Sequence, residues 1–136
     1  MPDVHLAIYA TESQTAPWAI DSRYVETFYR PAAGPSVLAL VRLVRHQVPD
    51  GETITMDLGD LAGALGLGRH TNNRLLPTIA RAEFLTMAAW DPDRHHFAVR
   101  SHLPWLSSKY LSKLPPFLVH QHASLRNSAL STGAPT

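Results

Sequence analysis

The chain has 136 residues, 45% of them hydrophobic, and a formal net charge of only +1. That is enough apolar material for one domain with one core and too little for two large ones. Cysteine is absent, which excludes disulfides and thiolate metal sites.

Residues 1–20 show no sustained period and read as an N-terminal arm with a short strand at residues 4–9. They carry an acid at Asp3 and no base before Arg23, unlike a secretory signal. Asp21 or Ser22 can cap a short helix over residues 23–29, which Pro31 ends. Gly34-Pro35 opens the next helix. Its Val37, Val41, Val44 and Val48 fall at helical steps and make one apolar face, widened by Leu38, Leu40 and Leu43. Arg42, Arg45 and His46 lie mostly off that face and make the run too polar to cross a membrane. The expectation is a soluble, cytoplasmic protein without membrane contact. Pro49-Asp50-Gly51 closes the helix in a turn.

Residues 53–57 alternate and read as a short edge strand. Asp57 is a suitable N-cap, with Asp60 in the first turn of the helix that follows. Leu58, Leu61, Ala62 and Leu65 form its inward face, Gly66 and Gly68 can end it in a left-handed cap, and Leu67 plugs the core. A second helix follows, with Leu75, Leu76, Ile79, Ala80 and Ala82 at helical spacing, ending at Phe84. Residues 85–90 and 95–100 then read as two strands around the turn 91–94, a hairpin. A helical stretch at residues 107–114 is broken by Pro115-Pro116. A last helix spans residues 117–125, and the small polar tail 126–136 reads as disordered.

Pro77 falls inside the second helix of the pair. With Thr71 as cap it would be an interior residue, lose its bond to the Asn73 carbonyl and cost roughly 3 kcal/mol. With the cap at Asn73 or Arg74 it falls among the early amides, which have no intrahelical partner. The cheaper arrangement predicts a helix that starts late, near Asn73, after an extended turn over residues 69–72.

The order of helix, short strand, helix, turn, helix and hairpin resembles the winged helix-turn-helix over about residues 35–100. GDLAGALGLGRHTNNRLLPTIARAEFL looks like the helix-turn-helix pair, and LTMAAWDPDRHHFAVR looks like the wing. FYRPAAGPSVLALVRLV is also similar to the opening of winged-helix modules in the DnaD-like replication-initiation group. The composition resembles small regulators of high-GC bacteria. The fold expected is α+β, mostly α: an arm over residues 1–20, a winged-helix domain over 21–102, a helical extension over 103–125 and the tail.

The resemblance implies DNA contacts from Arg69, His70, Thr71, Asn72, Asn73 and Arg74 at the start of the second helix. Arg pairs bidentately with guanine and Asn with adenine. Arg94, His95 and His96 would sit at the wing, and Arg81 and Arg100 would add backbone contacts. The charge distribution suits this: residues 1–68 hold four Arg and eight acids, residues 69–136 six Arg, two Lys and three acids. Winged-helix regulators read two half-sites, so a homodimer with double-stranded DNA as partner is expected. The amphipathic segment with Trp105, Leu106, Tyr110, Leu111, Leu114, Phe117 and Leu118 is the candidate dimer interface; core packing is the other use of its rings.

Other constellations carry less. His95, His96, His102, His120 and His122 lack the tight ligand spacing of a zinc site, and adjacent histidines on a strand point to opposite faces. The pairs Asp57/Asp60 and Asp91/Asp93 sit at cap and turn positions. No nucleophile triad order, Walker loop or dinucleotide fingerprint is present. No enzyme activity, cofactor or metal is expected. Two functions remain: a DNA-binding transcriptional regulator, and a winged-helix protein-interaction or replication-initiation adaptor.

Overall fold

The computed structural model of the chain describes residues 3–11, 14–67 and 72–132, and for residues 72, 73 and 130–132 the backbone alone. Its architecture is α+β. The largest departure from the sequence expectation comes first in the chain. Strand β1 (Asp3–Tyr9) is not an arm; it is an inner strand of a four-stranded sheet. Val4 and Leu6 point into the core with no exposed surface, while His5 and Ala7 face the other side. On one side β1 pairs antiparallel with β3 (Thr53–Asp57), and on the other it runs parallel to β5 (His96–Arg100). Strand β4 (Ala88–Asp91) completes the order β3-β1-β5-β4. The apolar alternation of Val4, Leu6 and Ile8 is too short to distinguish an inner strand from a loose one. Two ladders to residues about fifty and ninety positions away decide the matter.

A two-residue ladder between β2 (Trp18–Ala19) and β6 (His102–Leu103) then brings Trp18 into the core. The helical segment after it does not stop at Pro31. A π-helical turn over Val25–Tyr29, in which the Arg30 amide donates to the Val25 carbonyl five residues back, leads into α1 (Arg30–Ala33). The wide turn shifts the carbonyls out of α register and makes room for the proline ring. Gly34, with φ of +96°, ends the segment and turns the chain into α2 (Pro35–Gln47). The predicted apolar face of α2 is buried as a unit: Val37, Leu38, Leu40, Val41, Val44 and the following Val48.

Asp57 caps α3 (Leu58–Ala64), its Oδ1 accepting from the Asp60 amide at 3.1 Å, and Gly66 at φ of +77° closes the helix as expected. Leu67 packs partly buried against the core. Helix α4 (Asn72–Phe84) has Pro77 inside it, and the predicted extended turn over residues 69–72 lies, but for Asn72, outside the described residues. The interior position therefore holds despite its cost. Leu75, Ile79 and Ala82 are fully buried from this helix, and that burial offsets a lost hydrogen bond. Pro77 is exposed. Replacing Pro77 with Ala restores the bond and is expected to stabilise the protein by about 1–3 kcal/mol, partly offset by a freer unfolded chain. A urea midpoint that stays put or falls would show that the ring is already accommodated.

Residues 85–87 do not join the following strand. The Leu85, Thr86 and Met87 amides donate back to the Arg81, Glu83 and Ala82 carbonyls, with Thr86 at φ of +60°, so this stretch is the left-handed closure of α4. The hairpin β4–β5 follows, with Ala88 opposite Val99 and Asp91 opposite His96. After a single turn, α5 (Ser108–Leu111), the last helix α6 (Pro116–Thr132) runs through most of the predicted disordered tail. It is held where Leu118 and His122 bury and where Arg126 lies 4.4 Å over the Trp105 ring. Residues 133–136 lie outside the described residues. Among the described residues no helix is long and apolar enough to cross a membrane.

Candidate nucleic-acid interface

The two helices α3 and α4 are consecutive and pack together, and the hairpin follows α4. Of the residues predicted to face DNA, Arg69, His70 and Thr71 lie outside the described residues. Asn72 and Asn73 form the first turn of α4, where amides without intrahelical partners gather positive potential. Arg74 is exposed in the same turn. Beyond it α4 exposes the apolar Leu76, Pro77, Ala80 and Phe84, and also Arg81 and Glu83, whose polar ends are turned to the Ala32 and Ala33 carbonyls and to the Trp90 amide.

At the hairpin tip, Asp91 Oδ1 accepts from the Asp93 and Arg94 amides at 3.0 and 3.3 Å and shapes the turn. Arg94 projects outward with 84% of its side chain exposed, and its Nε only reaches Asp91 Oδ2 at 4.0 Å. His95 sits at φ of +49° with its ring stacked on Trp90, and its Nδ1 lies 3.2 Å from the Asp3 carbonyl. His96 is half-buried in β5 between His5 and Asp91. His95 thus ties the hairpin to β1 through its ring and carbonyl, and His96 does so through its main chain.

Two further arginines predicted to touch the DNA backbone are already engaged. Arg81 donates from Nε to the Ala33 carbonyl and from Nη2 to the Ala32 carbonyl, both at 2.8 Å, and so ties α4 to the end of α1. Arg100 donates from Nη1 to the Thr86 carbonyl at 3.2 Å and from Nε to Thr11 Oγ1 at 3.4 Å. These side chains satisfy orphan carbonyls at helix ends, a role that a count of positive charges does not reveal. Arg74 and Arg94 remain outward-facing.

The predicted dimer segment is likewise spent largely inside the chain. Leu106, Leu114 and Leu118 are buried, Trp105 packs edge-on to Trp18 and Tyr24, and Tyr110 and Leu111 are half-buried. Of the seven residues only Phe117 is mainly exposed, so the rings serve the core.

Sequence reasoning also misses a buried polar link within that core. Tyr24 stacks on Trp18 at 4.2 Å between ring centres. Its hydroxyl accepts from the Leu106 amide at 2.8 Å and lies 2.7 Å from His122 Nε2. With the hydroxyl accepting from Leu106, its own proton is available to His122 Nε2, an arrangement that suits a neutral imidazole there. Burial pushes the Tyr24 hydroxyl up to about 12, and burial followed by the nearby Arg126 charge holds His122 below its ordinary value. No local signal in the sequence marks it, because Tyr24, Leu106 and His122 lie far apart along the chain. Among the described residues no three metal-ligating side chains come together. Comparison of the chain with protein families, with curated proteins and with solved structures finds no match.

Proposed function

We propose that this protein is a DNA-binding regulator of winged helix-turn-helix type that docks on double-stranded DNA as a homodimer. The observation that carries the reading is the succession of α3, α4 and the hairpin, with the exposed Arg74 near the start of α4 and Arg94 at the hairpin tip. The first turn of α4 supplies amides and a cation to phosphate and base edges, and the tip supplies a second cation. The exposed apolar residues of α4 beyond that turn limit base reading, so affinity rests mainly on phosphate and falls steeply with salt. Titration of folded protein with duplex DNA across a salt series tests this. Charge reversal at Arg69, Arg74 and Arg94 together is expected to lower affinity by about 100-fold or more at low salt. Absence of any binding by the wild type at low salt sinks the proposal, and sedimentation of the complex reports the dimer.

A second reading is supported by those same apolar residues. Leu76 and Phe84 are 46% and 65% exposed, unusual for the groove-facing side of a DNA-reading helix and ordinary for a protein-docking one. A pull-down with the wild type and the charge-reversed variant separates the two: equal partner recovery favours the adaptor.

A further inference from the structure

The C-terminal end of α4 carries a second feature, far along the helix from its DNA-facing start. A cleft of about 440 Å³ opens between α1, α4 and the chain around α5. Three cations line it, Arg81, Lys109 and Lys113, together with the rings of Phe84 and Tyr110 and the buried Leu114. No carboxylate lines it. We propose that this cleft binds a small organic anion that carries a flat ring.

Charge gives the cleft its preference for an anion. Among the described residues no acid pairs with Arg81, Lys109 or Lys113, although the surface elsewhere pairs Arg30, Arg42 and Arg45 with acids. Glu83, the acid carried by α4, is turned to the Trp90 amide, from which its Oε2 accepts at 3.0 Å. Three uncompensated cations around one concavity attract an anion. Arg81 is also preorganised: its two bonds to the end of α1 hold the guanidinium still and leave Nη1 available.

The rings supply the second half of the recognition. Phe84 is 65% exposed, which costs free energy unless something covers it. It meets Tyr110 nearly at a right angle, 6.4 Å between centres, so the two rings form a corner. Lys109 Nζ lies over both rings, 5.1 Å from the Phe84 centre and 5.7 Å from that of Tyr110, placing a charge on the same corner. A flat ring stacked on Phe84 would set its anionic group among the cations. The volume matches small-molecule sites, which span about 300–1,000 Å³.

Phosphate monoesters of nucleosides and aromatic carboxylates share this chemistry, and the test separates them. Calorimetry and amide NMR shifts are measured with adenosine monophosphate and with salicylate, then with adenosine and with inorganic phosphate as the two halves. At least one ring-bearing anion is expected to bind more tightly than ~1 mM. It should shift the amides of Phe84, Lys109, Tyr110 and Lys113, and either half alone should bind roughly ten-fold more weakly or worse. Binding by adenosine monophosphate alone identifies a phosphate ligand, and by salicylate alone a carboxylate. Phe84→Ala and Lys109→Glu, both at exposed positions and checked for folding by circular dichroism, should each weaken binding about ten-fold. The proposal is overturned if neither ring-bearing anion binds, if phosphate alone binds as tightly, or if both variants bind like the wild type. None of these outcomes depends on whether the protein binds duplex DNA.

Discussion

A chain lacking residues 1–11 is expected to lose its cooperative fold. Strand β1 holds two ladders at once, antiparallel to β3 and parallel to β5, so its removal strips β3 of its pairing partner in the sheet and leaves one side of β5 open. It also takes Val4 and Leu6 out of the core, where neither has exposed surface. The single substitution Leu6→Ala grades the effect: a cavity under the sheet costs roughly 2–5 kcal/mol, against a total stability on the order of 5–15 kcal/mol for a domain. The truncation compounds that loss with the main-chain bonds of both ladders. Near-ultraviolet circular dichroism and urea unfolding check both variants. A truncated chain with a native spectrum and a sharp transition would make the N-terminal strand dispensable.

The second large effect is expected at Tyr24. Tyr24→Phe keeps the ring on Trp18 and removes only the hydroxyl that joins the Leu106 amide to His122. Two buried groups then lose their partner, at a cost of about 2–4 kcal/mol. The same link makes stability depend on pH, with a definite sign. His122 is held below the ordinary imidazole value of 6.5, so the unfolded chain takes up the proton first. Stability is therefore full above pH 6.5, declines as pH falls from 6.5 toward the depressed folded value, and levels off below that. Protonation would also give Tyr24 two donors and no acceptor, and would set a cation beside Arg126. His122→Leu should flatten this stretch of the pH curve. Wild-type stability that rises as the pH drops below 6.5 would falsify the assignment of a neutral His122.

Elements built from local spacing are legible in the chain itself. The four valines of α2 repeat at the helical step, Asp57 stands where a cap is needed, and Gly66 stands where a positive φ closes a helix. Those signals act within a few residues, so no distant partner can overrule them cheaply. Pro31 and Pro77 depart from expectation for the opposite reason. A proline is costly in a helix taken alone, but a π turn makes room for the first, and the burial of Leu75, Ile79 and Ala82 outweighs the second. The candidate site shows the same division. That Arg94 belongs to a turn is written in Asp91-Pro92-Asp93-Arg94. Which arginines face solvent is not, because Arg81 and Arg100 are consumed by carbonyls contributed by other parts of the chain.

The sequence by itself determined the α+β class, the order of helices and hairpin from Pro35 to Arg100, the caps, and the crowding of positive charge into the second half. All of these follow from periodicity, turn chemistry and composition. Only the tertiary structure decided that the first strand is internal to the sheet, that the C-terminal rings close a core around Tyr24, and that Arg81, Lys109 and Lys113 converge on Phe84 and Tyr110. The physical reason is separation along the chain. Strand pairing, ring packing and charge convergence join groups dozens of residues apart, and their energies exist only once the chain has brought them together.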